Sequence, residues 1–534
     1  MLALISFLFF TGLVAIVSYR MTHKDDHESS SGYFLAGRSL TWVVVAGSLL
    51  LTNLSTEQLV GLNGGGYQHG MQVMAWEVWS ALAMVVMALV FLPRYLKGGV
   101  TTVSQFLQRR YDKQVGILIS ALLLLSLLTN LLPFVLYSGA LFMVKVFGIS
   151  AIVGHSDTAA LWLTVIAIGT VGSIYAIFGG LKAVAVSDTL NGIGLFLGGL
   201  LIPILAISVL GEGSFGTGID TLLNTKPEML NPVAMSESSN IPFSTLFTGM
   251  LLITTYYWCT NQAIVQRTFG SKSLATGQKG VLFAAFMKLL GPLYLVLPGI
   301  IAFHLVANGT LSFENPDDAY GALVQHVLPG PLLGFFSAVI FGAILSSFNS
   351  GLNSATTLFS IDLYKGVFRP DASDADTVKA GKKFGIAIAI GAILVAPLIA
   401  HAQGGLFDLM KKLAALYNIP LLAITIVGIA SKRIPAIGAK LAIVFGFVFY
   451  AYFGLYKNNV IFGQEIHWLH VAAINFVVIT LIMIISGIAS PRKEAYVQVY
   501  TEEVDIEPWK HALPVGIGVI VAVAVVYFAL SRFG

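Results

Sequence analysis

Asn53-Leu-Ser-Thr-Glu-Gln-Leu-Val-Gly61 lies inside an apolar segment that begins near Trp42 and runs towards Gly66. A carboxylate, two amides and two hydroxyls are expensive at membrane depth, so the stretch points to a cavity that holds a polar solute or an ion. It closes on Gly61, and Gly64, Gly65 and Gly66 follow. A helix interrupted here frees main-chain carbonyls, which suit a hard cation such as sodium, and frees amides that can meet a solute hydroxyl. The plainer alternative is polar glue between helices, worth about 1 kcal/mol per bond.

The rest of the chain is built to match. Of its 534 residues 56% are hydrophobic and 10% charged, and apolar runs of about 20 residues recur from end to end, the pattern of an all-α polytopic membrane protein. The longest polar stretches, near residues 211–240, 308–328 and 488–510, are too short to bury a core of their own. The single cysteine, Cys259, excludes an internal disulfide and a cysteine-based zinc site. No phosphate-binding glycine loop and no HExxH is present, so nucleotide hydrolysis is not the energy source and no nucleic-acid partner is expected.

Hydropathy windows predict about fourteen spans, from 2–19, 41–62 and 70–93 through 241–264, 281–306 and 330–354 to 404–430, 436–456, 466–487 and 512–531. Basic residues alternate between the loops. Arg20, Lys24 and Arg38, then Arg94, Lys97, Arg109 and Arg110, then Lys182, Arg267, Lys272, Lys365, Lys382, Arg433 and Arg492 fall on one side. The excess of positive charge places that side in the cytoplasm and, with an even number of spans, both termini outside. Arg20 follows the first apolar run rather than preceding it, so residues 2–19 read as a retained helix rather than a secretory signal.

Three further constellations carry chemistry. Glu77 and Ser80 are spaced i and i+3 and share a helix face beside Trp76 and Trp79, which suits a sugar-like diol or, alternatively, an interfacial anchor. Ala343, Ser346, Ser347, Ser350 and Ser354 fall on one helical stripe, either half of an oxygen cage for a monovalent cation or a small-residue packing seam. Thr254-Thr-Tyr-Tyr-Trp-Cys-Thr-Asn-Gln262 interrupts another span about 200 residues after the first polar break, as an internal inverted repeat would. Lys288, alone in an apolar run, must face a cavity or a carboxylate; a structural ion pair is its bland alternative.

Tyr33-Phe-Leu-Ala-Gly-Arg-Ser-Leu40, the Asn53 to Gln58 block, Tyr175-Ala-Ile-Phe-Gly-Gly-Leu-Lys-Ala183, Gln266-Arg-Thr268 and Ile361-Asp-Leu-Tyr-Lys365 together resemble the solute/sodium symporter family, with the nearest likeness to its bacterial sodium/galactose branch. The resemblance implies a five-plus-five inverted-repeat, LeuT-like core. It divides the chain into an extra helix and loop over 1–32, a first repeat over 33–210, a second over 211–430 and three peripheral helices over 431–534. It further implies a sodium site from the carbonyls of Leu51, Leu54 and Ala343 and the hydroxyls of Ser346 and Ser347, with Asp188 on the ion's exit path. The solute site would comprise Asn53, Gln58, Glu77, Ser80, Thr254, Tyr257, Lys288 and Lys411, with Tyr257 stacking on a sugar ring. Thr254 stands where that branch has an asparagine, Lys411 where it has a glutamine and Trp76 where it has a tyrosine, while a third asparagine is displaced or lost around Asn130.

The expected function is secondary active import of a monosaccharide, galactose- or glucose-like, driven by sodium through alternating access in the cell membrane. A sodium- or proton-coupled carrier of another small solute, such as an acidic sugar, is the alternative. A transporter-like sensor or an intramembrane enzyme fits less well, because no loop is long enough for a signalling or catalytic domain.

Overall fold

The computed structural model describes residues 2–23, 28–236, 239–401 and 406–533; Lys24 and the predicted start of a span at 404 lie outside them. The described chain is helical almost throughout, with one two-stranded hairpin, Val460–Ile461 against Gln464–Glu465. Eleven helices are long and apolar enough to cross a membrane, or twelve if the bent pair Leu274–Lys288 and Gly291–Ala307 is one span. The predicted count of about fourteen is therefore not reached by this measure. Segments 41–62 and 241–264 account for the difference: the break after Asn53 leaves Trp42–Asn53 too short while Thr56 onward joins the next span, Thr56–Lys97, and the break after Cys259 leaves Gly249–Cys259 and Gln262–Phe269 too short.

Polar residues at the loop ends start many of these helices. Thr102, Asp112, Ser156, Ser273 and Ser373 each accept a backbone N–H from the first turn that follows, which satisfies one of the orphan donors of a helix N-terminus. The predicted spans 158–178 and 184–210 run together as Asp157–Leu210, bent at Gly180, whose φ of 63° favours glycine. The serine-stripe helix Gly330–Thr357 packs against both that helix and the N-terminal helix Leu2–Thr22. Large apolar side chains such as Phe9, Leu197, Ile386, Val448 and Val521 are exposed, as expected where the solvent is lipid.

The glycines after the first polar block are helical, within Thr56–His69. They serve close packing rather than the break: a Cβ on Gly66 would stand 2.5 Å from the Val296 carbonyl oxygen, and one on Gly299 would stand 1.9 Å from that of Asn63. The Asn63 amide secures the contact by accepting the Gly299 N–H at 3.0 Å.

Candidate functional site

Two interrupted helices meet at the centre of the molecule. Trp42–Asn53 ends at Leu54 (φ −85°, ψ 63°), Ser55 is extended, and a new helix starts at Thr56. Gly249–Cys259 ends at Thr260, Asn261 is extended, and its side chain accepts the Ala263 N–H at 2.9 Å to cap Gln262–Phe269. Asn261 offers the backbone a partner outside the helix at the second break, whereas the Ser55 hydroxyl at the first makes no capping bond.

A helix end leaves its last carbonyls without partners. The final bond of the first segment runs from Leu54 N to Leu50 O, so the carbonyls of Leu51 to Leu54 are the freed ones. Ser347 Oγ donates to Thr52 O at 2.9 Å, which brings the serine stripe against this break. Leu51, Leu54, Ala343, Ser346 and Ser347 are all buried. The Ser346 hydroxyl makes no hydrogen bond at ordinary distance, with the Asp188 carboxylate as its neighbour. Ala343 lies in an unbroken helix and offers the second lone pair of its carbonyl. An all-oxygen set with an orphaned hydroxyl fits a hard monovalent cation.

Asp188 stands beside this set. It accepts from Ser48 at 2.7 Å and lies 3.5 Å from the Thr52 hydroxyl. Arg267, fully buried, donates to Thr52 Oγ1 at 3.1 Å, to the Ala263 carbonyl at 2.5 Å and to Ser350 Oγ. Next to it Gln266 donates to the Phe34 carbonyl at 2.9 Å and to Thr357 Oγ1 at 2.8 Å. The Gln266-Arg-Thr268 motif therefore fastens the second broken helix to the serine stripe on one side and to the Tyr33 to Leu40 motif on the other.

On the opposite flank of the first break is a partly enclosed cavity. Asn53, Gln58, Glu77, Ser80, Thr254, Tyr257 and Lys411 all line it. Lys288, also expected there, stands behind the wall instead: its ammonium donates to Glu77 at 2.6 Å and to Asn53 Oδ1. Glu77 and Ser80 share a face as their spacing predicts, and Ser80 Oγ donates to the Trp76 carbonyl at 2.7 Å. The Lys411 ammonium lies 5.4 Å from the Trp76 ring centroid and 5.6 Å from that of Tyr257.

The profile of the family described as "Sodium:solute symporter family" matches residues 33–446. The chain belongs to that family. It is 46% identical over its whole length, and 92% of the relative's, to a protein named uncharacterized symporter YidK of Escherichia coli (strain K12). It is 32% identical, over 79% of each chain, to the sodium/glucose cotransporter of Vibrio parahaemolyticus. Among solved structures, a Na+-coupled sialic acid symporter in a substrate-bound outward-open state superposes with a TM-score of 0.75 at 19% identity, over 92% of this chain and 99% of the other. At that identity the likeness establishes the fold, which is LeuT-like.

The symporter's cavity also contains groups that sequence reasoning missed. Asn130, read as displaced or lost, lines the wall with a buried Oδ1 that has no hydrogen-bond partner. Ser126, Asn261, Gln262 and Asn418 line it too. Signals existed for two of these. Thr129-Asn130 is the polar interruption of a leucine-rich run that becomes a π-helical turn, Leu127–Leu131, a feature frequent at functional sites. Asn418 is seven residues after Lys411 and so on the same helix face.

Proposed function

We infer that this symporter couples the entry of sodium to the uptake of a hydroxylated solute of monosaccharide size. One observation carries the reading: a single helix break supplies both the freed carbonyls of Leu51 and Leu54 beside the serine stripe and, through Asn53 and Gln58, part of the cavity wall. Sodium held by Leu51, Leu54, Ala343, Ser346 and Ser347 fixes the break, and the fixed break presents Asn53 to the solute. That is a coupling free energy between two adjacent sites. Glu77 accepts hydroxyl protons, with Lys288 compensating its charge, Gln58 and Asn130 offer amide groups, and Tyr257 offers a ring face. Asp188 and Arg267 lie on the far side of the ion site, where they guard its exit.

In this reading the basic loops are cytoplasmic, both termini are outside, and 33–210 and 211–430 form the two halves of the repeat. One sodium entering across 100 mV contributes about 2.3 kcal/mol, and a tenfold concentration difference adds about 1.4 kcal/mol. At one-to-one coupling these concentrate a neutral solute about 500-fold. Uptake of radiolabelled galactose or glucose into proteoliposomes, with a sodium gradient or with a pH step alone, tests the reading. Accumulation that needs sodium supports it, and equal accumulation under all conditions overturns it.

A further inference from the structure

Ile361-Asp-Leu-Tyr-Lys365 contains a buried acid that neither the ion site nor the solute cavity uses. Asp362 lies on the π-helical turn Leu358–Phe368 that continues the serine-stripe helix. Thr102 Oγ1 donates to its two oxygens at 2.9 and 3.0 Å, and Ser120 Oγ donates at 2.8 Å. The cations on the helices around it are engaged elsewhere: Arg109 donates to the Gly98 carbonyl, Arg110 to those of Gly428 and Ser431, and Lys365 pairs with Asp374, while Lys113 is exposed. A carboxylate offers about four acceptor positions, so the hydroxyls of Thr102 and Ser120 leave it short of donors. A buried charge held in this way is costly, and water reaching it makes up the deficit.

Thr102 ties this acid to the cavity. It caps the helix Val103–Arg110, its hydroxyl accepting the Gln105 N–H at 3.0 Å. On either side of it the chain meets Gln262: the Val103 N–H donates to Gln262 Oε1 at 3.0 Å, and Gln262 Nε2 donates to the Thr101 carbonyl at 3.1 Å. Gln262 is 1% exposed, lines the cavity and opens the helix after the second break. Its other amide hydrogen goes to Gln266 Oε1 at 3.3 Å, so the side chain closes the wall rather than binding solute. Thr101-Thr102-Val103 falls between Lys97 and Arg109, among the basic residues read as cytoplasmic. Gln262 therefore stands between the cavity and that loop.

We propose that Thr101-Thr102-Val103 is a bolt closing the cavity towards the cytoplasm, with Gln262 and Asp362 as its two catches. This rests on the sodium-coupled reading above and adds to it the positioning residues that make access one-sided. The catches ride on the second broken helix and on the serine-stripe helix, which Arg267 and Gln266 fasten together beside the ion site. While sodium holds the first break against Ser346 and Ser347, the catches stay aligned. When the ion leaves, the helices part, water satisfies Asp362, and the hydrogen bonds given up at the bolt are replaced at little net cost. A lysine or arginine paired with Asp362 would not open so readily, since parting a buried ion pair is far more costly.

The test places the full-length protein in vesicles of both orientations, with Cys259→Ala removing the single cysteine and Thr254→Cys supplying one on the cavity wall. A membrane-impermeant thiol reagent is then applied in sodium. Adding Gln262→Ala or Asp362→Asn should raise the labelling rate from the cytoplasmic face at least about tenfold and lower the rate from the outer face. Rates that rise alike from both faces, as general loosening of the structure gives, overturn the bolt, and so do rates that stay the same. Should the variants fold poorly, hydrogen exchange of the Val103 amide in the unsubstituted protein still decides: it should slow at least about tenfold when sodium replaces choline. Exchange indifferent to sodium, in a protein that binds sodium by isothermal titration, overturns the proposal. A protein that labels as expected but binds no sodium overturns the sodium reading and leaves the bolt standing.

Discussion

Lys288 and Glu77 provide the sharpest quantitative test of how the cavity is built. The two side chains are 0% and 1% exposed and 2.6 Å apart, and Lys288 also donates to Asn53 Oδ1 and lies 5.4 Å from the Trp258 ring centroid. Removing one member of such a pair leaves an uncompensated buried charge, a loss of about 3–5 kcal/mol. Lys288→Met strands a carboxylate and belongs at the upper end of that range. Glu77→Gln strands an ammonium that keeps Asn53 and the indole, so it belongs at about 3 kcal/mol. The double substitution leaves no charge behind, and its stability should lie within about 1 kcal/mol of the wild type. The cycle therefore yields a coupling of about 7 kcal/mol, measured by equilibrium unfolding in mixed micelles with helical circular dichroism as the readout. Additive losses, or a single variant within about 1 kcal/mol of wild type, would refute the claim that the pair is desolvated and mutually dependent. The double variant should also fail to bind solute while still binding sodium.

Three further outcomes are expected. Ser346→Ala removes an oxygen with no other hydrogen-bond partner, so sodium activation of uptake should need about 5- to 100-fold more sodium while the melting temperature hardly moves; an unchanged activation curve would exclude this hydroxyl as a ligand. Asn130→Leu deletes an unpartnered wall amide and should weaken solute binding about tenfold or more with sodium binding intact, as isothermal titration would show. Gly299→Ala places a methyl 1.9 Å from the Asn63 carbonyl oxygen and 2.9 Å from the Tyr67 nitrogen. Because both are backbone atoms, the helices must separate, and a loss of about 3 kcal/mol or more in the same unfolding assay is expected.

How far the sequence could be read depended on the range of the interaction. Hydropathy marked the spans because membrane insertion is decided segment by segment. The two breaks were visible too, since the polar runs Asn53 to Gln58 and Thr254 to Gln262 interrupt apolar segments and, at the second, Asn261 caps its own backbone. The glycine run after the first break was misplaced in role: Gly66 answers Val296, more than two hundred residues away, and nothing local reports that. Lys288 was rightly sent towards a carboxylate or a cavity, but whether it touched solute or only stood behind Glu77 depended on a contact across 211 positions. Asn130 was read as displaced or lost because its place in the cavity wall is set by how other helices pack around it.

Sequence alone thus determined a multi-span helical symporter with two interrupted segments and a polar interior, because the free energies of burying polar groups in lipid and of ending a helix are paid within a turn or two of each residue. Tertiary structure alone decided which freed carbonyls meet the serine stripe, that Arg267 ties that stripe to Thr52, and that Lys411 rather than Lys288 faces the cavity. Those are matters of which charge finds which neighbour when distant helices pack, and electrostatic energy in a dry interior is set by that distance and not by position along the chain.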